Sequence, residues 1–334
     1  MPLKEKKIDF LAIGDTVIDA FIKLKDAHVH CKIDSDACEL CVRFGDKVPY
    51  EEVTVVPAVG NAANAAVSAS RLGLESALVT NLGNDKEGEE CLSSLKKDGV
   101  NIDFVKVNAG IKTNYHYVLW YVPERTILIK HEKYQYELPD IGEPKWLYFS
   151  SVSESAFPFH NTVADYIDNH KNTKFAFQPG KNEIKLGKEK LARLYSLAEI
   201  FFCNVEEAEK ILEIETKDIA RLIKGIHALG PKIVAISDGA KGAYASDGRD
   251  IWSISIYPDI APPLDRTGAG DAFASTFTIA MSLGKTIPEA LTWGPINSMS
   301  VVQEIGAQKG LLSREKLEEY LKNAPADYKA RKIN

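Results

Sequence analysis

The sequence predicts an α/β protein with a mostly parallel central sheet, helices on both faces, and a small β lid. Three observations predict it. Short apolar runs alternate with helical stretches along most of the 334 residues, the pattern of parallel strands joined by crossover helices. Several of these runs are apolar throughout, so both faces of those strands should be buried. Two segments, about 20–57 and 113–131, break the alternation and supply the lid.

The elements follow in order. Ile8–Ile13 is a compact apolar run closed by Gly14 and reads as a buried strand. Residues 61–72 are rich in Ala and favour a helix, which Gly73 stops. A strand over Ala77–Leu82 and a charged helix from about Lys86 to Lys97 come next. Within 113–131, two strands meet at a turn near Pro123 and Glu124. Alternation puts Tyr115, Tyr117, Leu119 and Tyr121 on one face, and His116, Val118 and Trp120 on the other. Both faces are largely apolar or aromatic, so both should be covered: by a ligand and a second subunit, or by a core of their own. Trp146–Phe149, Lys174–Phe177, Ile200–Cys203 and Ile233–Ile236 read as further buried strands. Helices at about 270–283, 287–302 and 313–322 complete the chain. No repeat or Pro/Ser-rich linker divides it, so 1–334 is read as one large domain with a discontinuous lid.

Composition narrows the class. Hydrophobic residues at 45% and charged residues at 26% exclude a disordered chain. Lys and Arg number 41 against 47 Asp and Glu, a net charge of -6 that disfavours a non-specific nucleic-acid binder. No apolar run approaches the roughly 18 residues needed to cross a bilayer. The N-terminus lacks a signal-peptide pattern, and five cysteines, an odd number, argue for a reducing compartment; a cytoplasmic protein is expected. Cys31, Cys38 and Cys41 follow His28 and His30 in the lid segment. Three reduced thiols are the first reading there, a tetrahedral Zn²⁺ site the second. Cys91 and Cys203 read as small buried apolar groups.

The segment richest in chemistry is Asp265-Arg266-Thr267-Gly268-Ala269-Gly270-Asp271, which opens a helix. Small residues at 268–270 let backbone N–H groups converge at the helix N-terminus, where the dipole favours an anion. A carboxylate beside an anion site suits a base that takes the proton of a hydroxyl attacking a phosphoryl group. A Gly-rich turn capped by Asp is the structural alternative. Neither a Walker-type G-x-x-x-x-G-K-[ST] nor a G-x-G-x-x-G after the first strand is present.

On these residues the chain resembles the ribokinase-like, PfkB-type family of sugar and nucleoside kinases, from about Asp9 to the last helix. The resemblance implies an ATP- and Mg²⁺-dependent kinase acting on a primary hydroxyl of a sugar or nucleoside. Asp271 would be the base, and Gly268, Ala269 and Gly270 would form the anion hole with it. The family's N-terminal Gly-Gly…Asn…Leu-Gly signature is seen as Val59-Gly60, Asn64 and Leu72-Gly73, with Val59 in place of the first hinge glycine. Asp19, Gly60 and Asn64 match substrate-binding positions. Asn204 and Glu207 match the N-x-x-E whose Glu organises Mg²⁺ through water, though alone they are also a helix-capping box. Ser237, Gly239 and Gly242 resemble the turn around the nucleotide, with Asn204 near its phosphates and Thr267 a further nucleotide-binding candidate. Relatives cover the adenine with a helix that falls here within Gly294–Val302, where Asn297 is the polar candidate. Relatives often hold a monovalent cation, which Asp265, Thr267 and Gly306 would place here as K⁺. Gln178-Pro179-Gly180-Lys181-Asn182 departs from the family's Asp-x-Asn-like stretch. A homodimer through the lid is expected. A sugar-phosphate acceptor, with Lys112, Arg125 and Arg266 as the cations to watch, and a catalytically silent nucleotide-binding regulator are the alternatives.

Overall fold

The structure, a computed structural model, describes residues 7–31, 38–121 and 124–333. Its strands are β1 (Phe10–Ile13), β2 (Val17–Leu24), β3 (His28–Cys31), β4 (Cys38–Cys41), β5 (Tyr50–Val59), β6 (Ser76–Gly83), β7 (Val105–Asn108) and β8 (Asn114–Tyr121). They continue with β9 (Glu124–Leu128), β10 (Trp146–Phe149), β11 (Lys174–Phe177), β12 (Ile200–Asn204), β13 (Ile233–Ser237), β14 (Ala243–Ser246), β15 (Ile251–Ile254) and β16 (Arg331–Ile333). Among the described residues the central sheet runs β16-β15-β14-β13-β12-β11-β10-β1-β6-β7. Pairing is parallel from β7 through β13 and antiparallel only across β14, β15 and β16.

The helices are α1 (Asn61–Arg71), α2 (Lys86–Lys97), α3 (Phe157–Asn169), α4 (Lys181–Leu186), α5 (Ala192–Leu197), α6 (Val205–Leu212), α7 (Ile219–His227), α8 (Ala269–Ser282), α9 (Ile287–Val301) and α10 (Arg314–Lys322). Phe10 and Ala12 of β1 enter one core with α1, α8 and α9, while Leu11 and Ile13 enter the other with α3, α5, α6 and α7. That is why the first apolar run carries no alternation: its strand has no wet face. No helix among the described residues is long and apolar enough to cross a membrane.

A separate four-stranded sheet, β5-β2-β8-β9, stands over one end of the central sheet. It begins at Val17, three residues before the expected 20, because β2 leaves β1 after only Gly14, Asp15 and Thr16. β2 pairs in parallel with β8 and antiparallel with β5, so residues opposite one another share a face. One face carries Asp19, Phe21, His116, Val118 and Arg125; the other carries Val53, Val55, Tyr117 and Leu128. The turn expected at Pro123 lies outside the described residues.

The cysteine reading needs correction. Cys31 and Cys38 face each other across the β3–β4 hairpin and are joined by a disulfide. Two of the three sulfurs proposed for Zn²⁺ are thus bonded to each other, and Cys41 alone remains a thiol. Opposed positions in a short hairpin bring two sulfurs together, which cysteine parity does not reveal. Cys91 and Cys203 are buried as expected.

Candidate active site

The site lies where β1, β10, β11, β12 and β13 end, beneath the small sheet. Ligands of open α/β sheets bind outside these carboxyl ends, because the strands stop there and loops diverge. Gly268 precedes α8 with φ 80°, a left-handed conformation that glycine adopts at no steric cost. A Cβ there would sit 2.7 Å from Ala307 Cα, so the 306–307 turn packs directly behind this loop. Helix geometry leaves the first-turn N–H groups of α8 without i−4 partners, facing outward. Asp271 stands in that first turn.

The Asp271 carboxylate is held on both oxygens. Asn64 Nδ2 donates to Oδ2 at 2.8 Å and Gln178 Nε2 to Oδ1 at 3.0 Å. Burial pushes its pKa above the ordinary carboxylate range, against the lowering effect of these two amides. The amides are themselves fixed. Gln308 Nε2 donates to Asn64 Oδ1 at 3.0 Å and to the Ala58 carbonyl at 2.7 Å, and the Tyr148 hydroxyl donates to Gln178 Oε1. Asn64 enters from α1, whose start follows Ala58 at φ 60° and Gly60 at φ 120°. Gly60 allows a close approach: a Cβ there would lie 2.5 Å from the Asp15 carbonyl oxygen.

Under the small sheet, Asp19 lies within β2, buried, with His116 Nδ1 3.4 Å from its Oδ1. Asp15 Oδ1 accepts from the Tyr136 hydroxyl at 2.8 Å, while its Oδ2 lies 3.2 Å from His131 Nδ1. Neither imidazole contact is aligned as a hydrogen bond, and Asp15 Oδ2 and Asp19 Oδ1 are buried without a donor. Such oxygens are costly to leave unpaired and are ready to accept from hydroxyls.

On the other side, register places Asn204 opposite Ser237 at the ends of β12 and β13. Asn204 caps α6: its side chain accepts from Glu207 N, and Glu207 Oε2 accepts from Asn204 N at 2.9 Å. Burial, with the Asp271 charge adding to it, raises the Glu207 pKa. Ser237, Gly239 and Gly242 line a cleft of about 290 Å³ with Arg266, Gly270, Ser298 and Met299. Asn297 does not reach it. It is fully buried, donating to Thr276 Oγ1 at 2.8 Å and accepting from Leu312 N at 2.9 Å. The expectation of Asn297 at a base is therefore corrected: one position along α9 turns a side chain by about 100°, and Ser298 and Met299 face the cleft instead.

Asp265 differs from expectation as well. Its Oδ1 accepts from Thr267 N (3.0 Å), Thr267 Oγ1 (2.7 Å) and Arg125 Nη1 (2.9 Å), and its Oδ2 from Gly306 N (2.9 Å). Asp265, Thr267 and Gly306 do converge, but around protein donors, and this arrangement does not fit a free K⁺ on the carboxylate. Gln178, Gln308, Tyr148, Asp15, His116 and His131 were not predicted. For Gln178 the signal was its place directly after a buried strand.

These features gather a clamped carboxylate, a helix N-terminus and a cleft at the carboxyl ends of an α/β sheet, and comparison with known proteins gives the family. Residues 27–314 match the pfkB family carbohydrate kinase model, and the chain belongs to that family. It is a carbohydrate or nucleoside kinase with the ribokinase-like fold. It is 28% identical over 316 residues to the ATP-dependent 6-phosphofructokinase of Thermoanaerobacterium thermosaccharolyticum, covering 91% of this chain and 90% of that one. It is 29% identical over 260 residues to the cytidine kinase of Thermococcus kodakarensis, covering 74% and 88%. Ribokinase of Arabidopsis thaliana, solved with ribose and ATP, superposes with a TM-score of 0.78 at 20% identity, covering 95% and 99%.

Proposed function

We propose that the protein transfers the γ-phosphoryl group of ATP to a primary hydroxyl of a sugar or nucleoside. The observation that carries this is the Asp271 carboxylate, clamped by Asn64 and Gln178 at the first turn of α8. Asp271 accepts the hydroxyl proton, a role worth about 10²–10⁴ in rate. The N–H groups of 268–271 stabilise the charge spread over the transferred group. Asp15 and Asp19 hold acceptor hydroxyls through their donor-free oxygens. The nucleotide lies along Ser237, Gly239, Gly242 and Thr267. ATP is supported by the names of the relatives above.

Glu207 fits Mg²⁺ held through water: one oxygen is fixed in the cap, and a dication would offset the burial that raises its pKa. When bound, Mg²⁺ would neutralise phosphate charge. The small sheet acts as the lid that excludes water, and its outer face, with Val53, Val55, Tyr117 and Leu128 exposed, is where a second copy binds. The three cations singled out for a phosphorylated acceptor are placed elsewhere. Arg125 is engaged with Asp265, Arg266 lines the nucleotide cleft, and Lys112 is exposed. Their positions favour a neutral acceptor over a phosphorylated one.

The test is Asp271→Asn assayed for ADP release over a panel of neutral and phosphorylated sugars and nucleosides. Turnover should fall at least about a hundredfold with ATP affinity kept. A variant within tenfold of the parent would end the proposal.

A further inference from the structure

The small sheet touches the core at a second place, away from the acceptor. Arg125, on its inner face, reaches Asp265, a residue 140 positions away whose side chain is only 6% exposed. Val56 of β5 packs against Gly306, where a Cβ would sit 3.1 Å from Val56 Cγ2. Both contacts fall on one bracket. Gly306 N donates to Asp265, Ala307 backs Gly268, and Gln308 fixes Asn64, which in turn holds Asp271. Arg71 anchors the far end of the bracket, its Nη1 donating to the Gln308 carbonyl at 2.6 Å and to the Leu311 carbonyl at 3.0 Å.

We propose that Arg125 is a positioning residue whose guanidinium takes the place expected for K⁺ and makes seating of the small sheet and ordering of the anion hole a single event. Asp265 is a buried carboxylate whose other three donors are neutral, so its charge needs a cation nearby. A guanidinium donated from the sheet supplies that cation only when the sheet is down. With Arg125 withdrawn, the Asp265 charge loses its partner, and the 265–268 turn and the 306–308 bracket lose their common tether. The order of the anion hole would then depend on the sheet's position.

The inference rests on the kinase reading, and its test separates the two. Arg125→Gln, Arg125→Lys and the parent are compared for kcat and KM, for K⁺ dependence, and for amide hydrogen exchange at Thr267 and Gly306. Losing a charged hydrogen bond should lower kcat of Arg125→Gln about 10–100-fold with little change in nucleotide KM. Arg125→Lys or millimolar guanidinium should restore part of it, exchange at both amides should quicken, and the parent should need no K⁺. A kcat for Arg125→Gln within about twofold of the parent, or a parent inactive without K⁺, overturns the inference. Should the parent phosphorylate nothing, the kinase reading falls and exchange decides alone: faster exchange in Arg125→Gln supports the tether, and unchanged exchange removes it.

Discussion

Gln308→Met isolates the bracket without touching the reacting groups. Gln308 is 5% exposed, and its amide supplies two donors, to the Ala58 carbonyl and to Asn64 Oδ1. Methionine refills the volume but orphans both buried acceptors, at about 1–3 kcal/mol each. Added apolar burial returns about 1 kcal/mol, so the net loss should be about 1–5 kcal/mol. Ala58 adds to the expectation. Its φ of 60° is strained for a residue with a Cβ, and it is held by Cys91 Sγ at its N–H and by Gln308 at its carbonyl. Asn64 would then be free to turn away from Asp271, and a hydrogen bond to a charged group is worth about a factor of ten or more in kcat.

The pH dependence has a definite sign. The Asn64 amide lowers the Asp271 pKa against burial, so weakening it raises the folded-state value further. As the proposed base, Asp271 must be ionised, so the acid limb of kcat/KM should move to higher pH. A carboxylate with a raised folded-state pKa destabilises the fold when ionised, and that cost disappears as pH falls through the raised value. The stability deficit of Gln308→Met should therefore shrink on acidification. Thermal unfolding monitored by circular dichroism should show a midpoint lowered by several degrees, at about 2 °C per kcal/mol. An unchanged midpoint together with an unchanged kcat, or an acid limb displaced downward, would refute the reasoning.

Two further outcomes are expected. Replacing Cys31 and Cys38 together by Ser should leave kcat/KM and the unfolding midpoint unchanged, because all of β3 and the start of β4 are exposed and any entropy lost with the crosslink is local; a drop of several degrees would show that the hairpin is integral to the fold. Sedimentation should give a dimer that Tyr117→Glu with Val55→Glu converts to an active or inactive monomer, since both side chains are exposed on the outer face of the small sheet; a parent that sediments as a monomer would remove the proposed interface.

What was legible in the sequence divides along physical lines. Strands apolar on both faces, such as Trp146–Phe149 and Lys174–Phe177, fall on their predicted bounds because burial on two sides leaves no other pattern. The Gly-rich turn into α8, with Asp271 in the first turn, was legible because a tight turn into a helix restricts residue types. Gln178 and Gln308 were not. Each acts through a hydrogen bond to a residue distant in sequence, Asp271 or Asn64, and nothing local marks a glutamine as an amide donor. Asn297 shows the reverse failure, a polar residue on an apolar helix that satisfies its neighbours internally and faces no cleft.

The charge distribution explains why such remote amides matter. Asp15, Asp19, Glu207, Asp265 and Asp271 all border the site, and the whole chain is acidic. A phosphate donor approaching five carboxylates would be repelled unless each is neutralised, tied down or used. Asp265 is neutralised by Arg125, and Asp271 is tied by two neutral amides, which hold its geometry without adding a positive charge that would weaken it as a base. Had Gln178 been an Arg, the Asp271 pKa would fall and its proton affinity with it. In the proposed mechanism the two kinds of donor therefore serve different ends: the uncharged ones on Asp271 preserve its basicity, and the charged one on Asp265 steadies the backbone that would meet the phosphate.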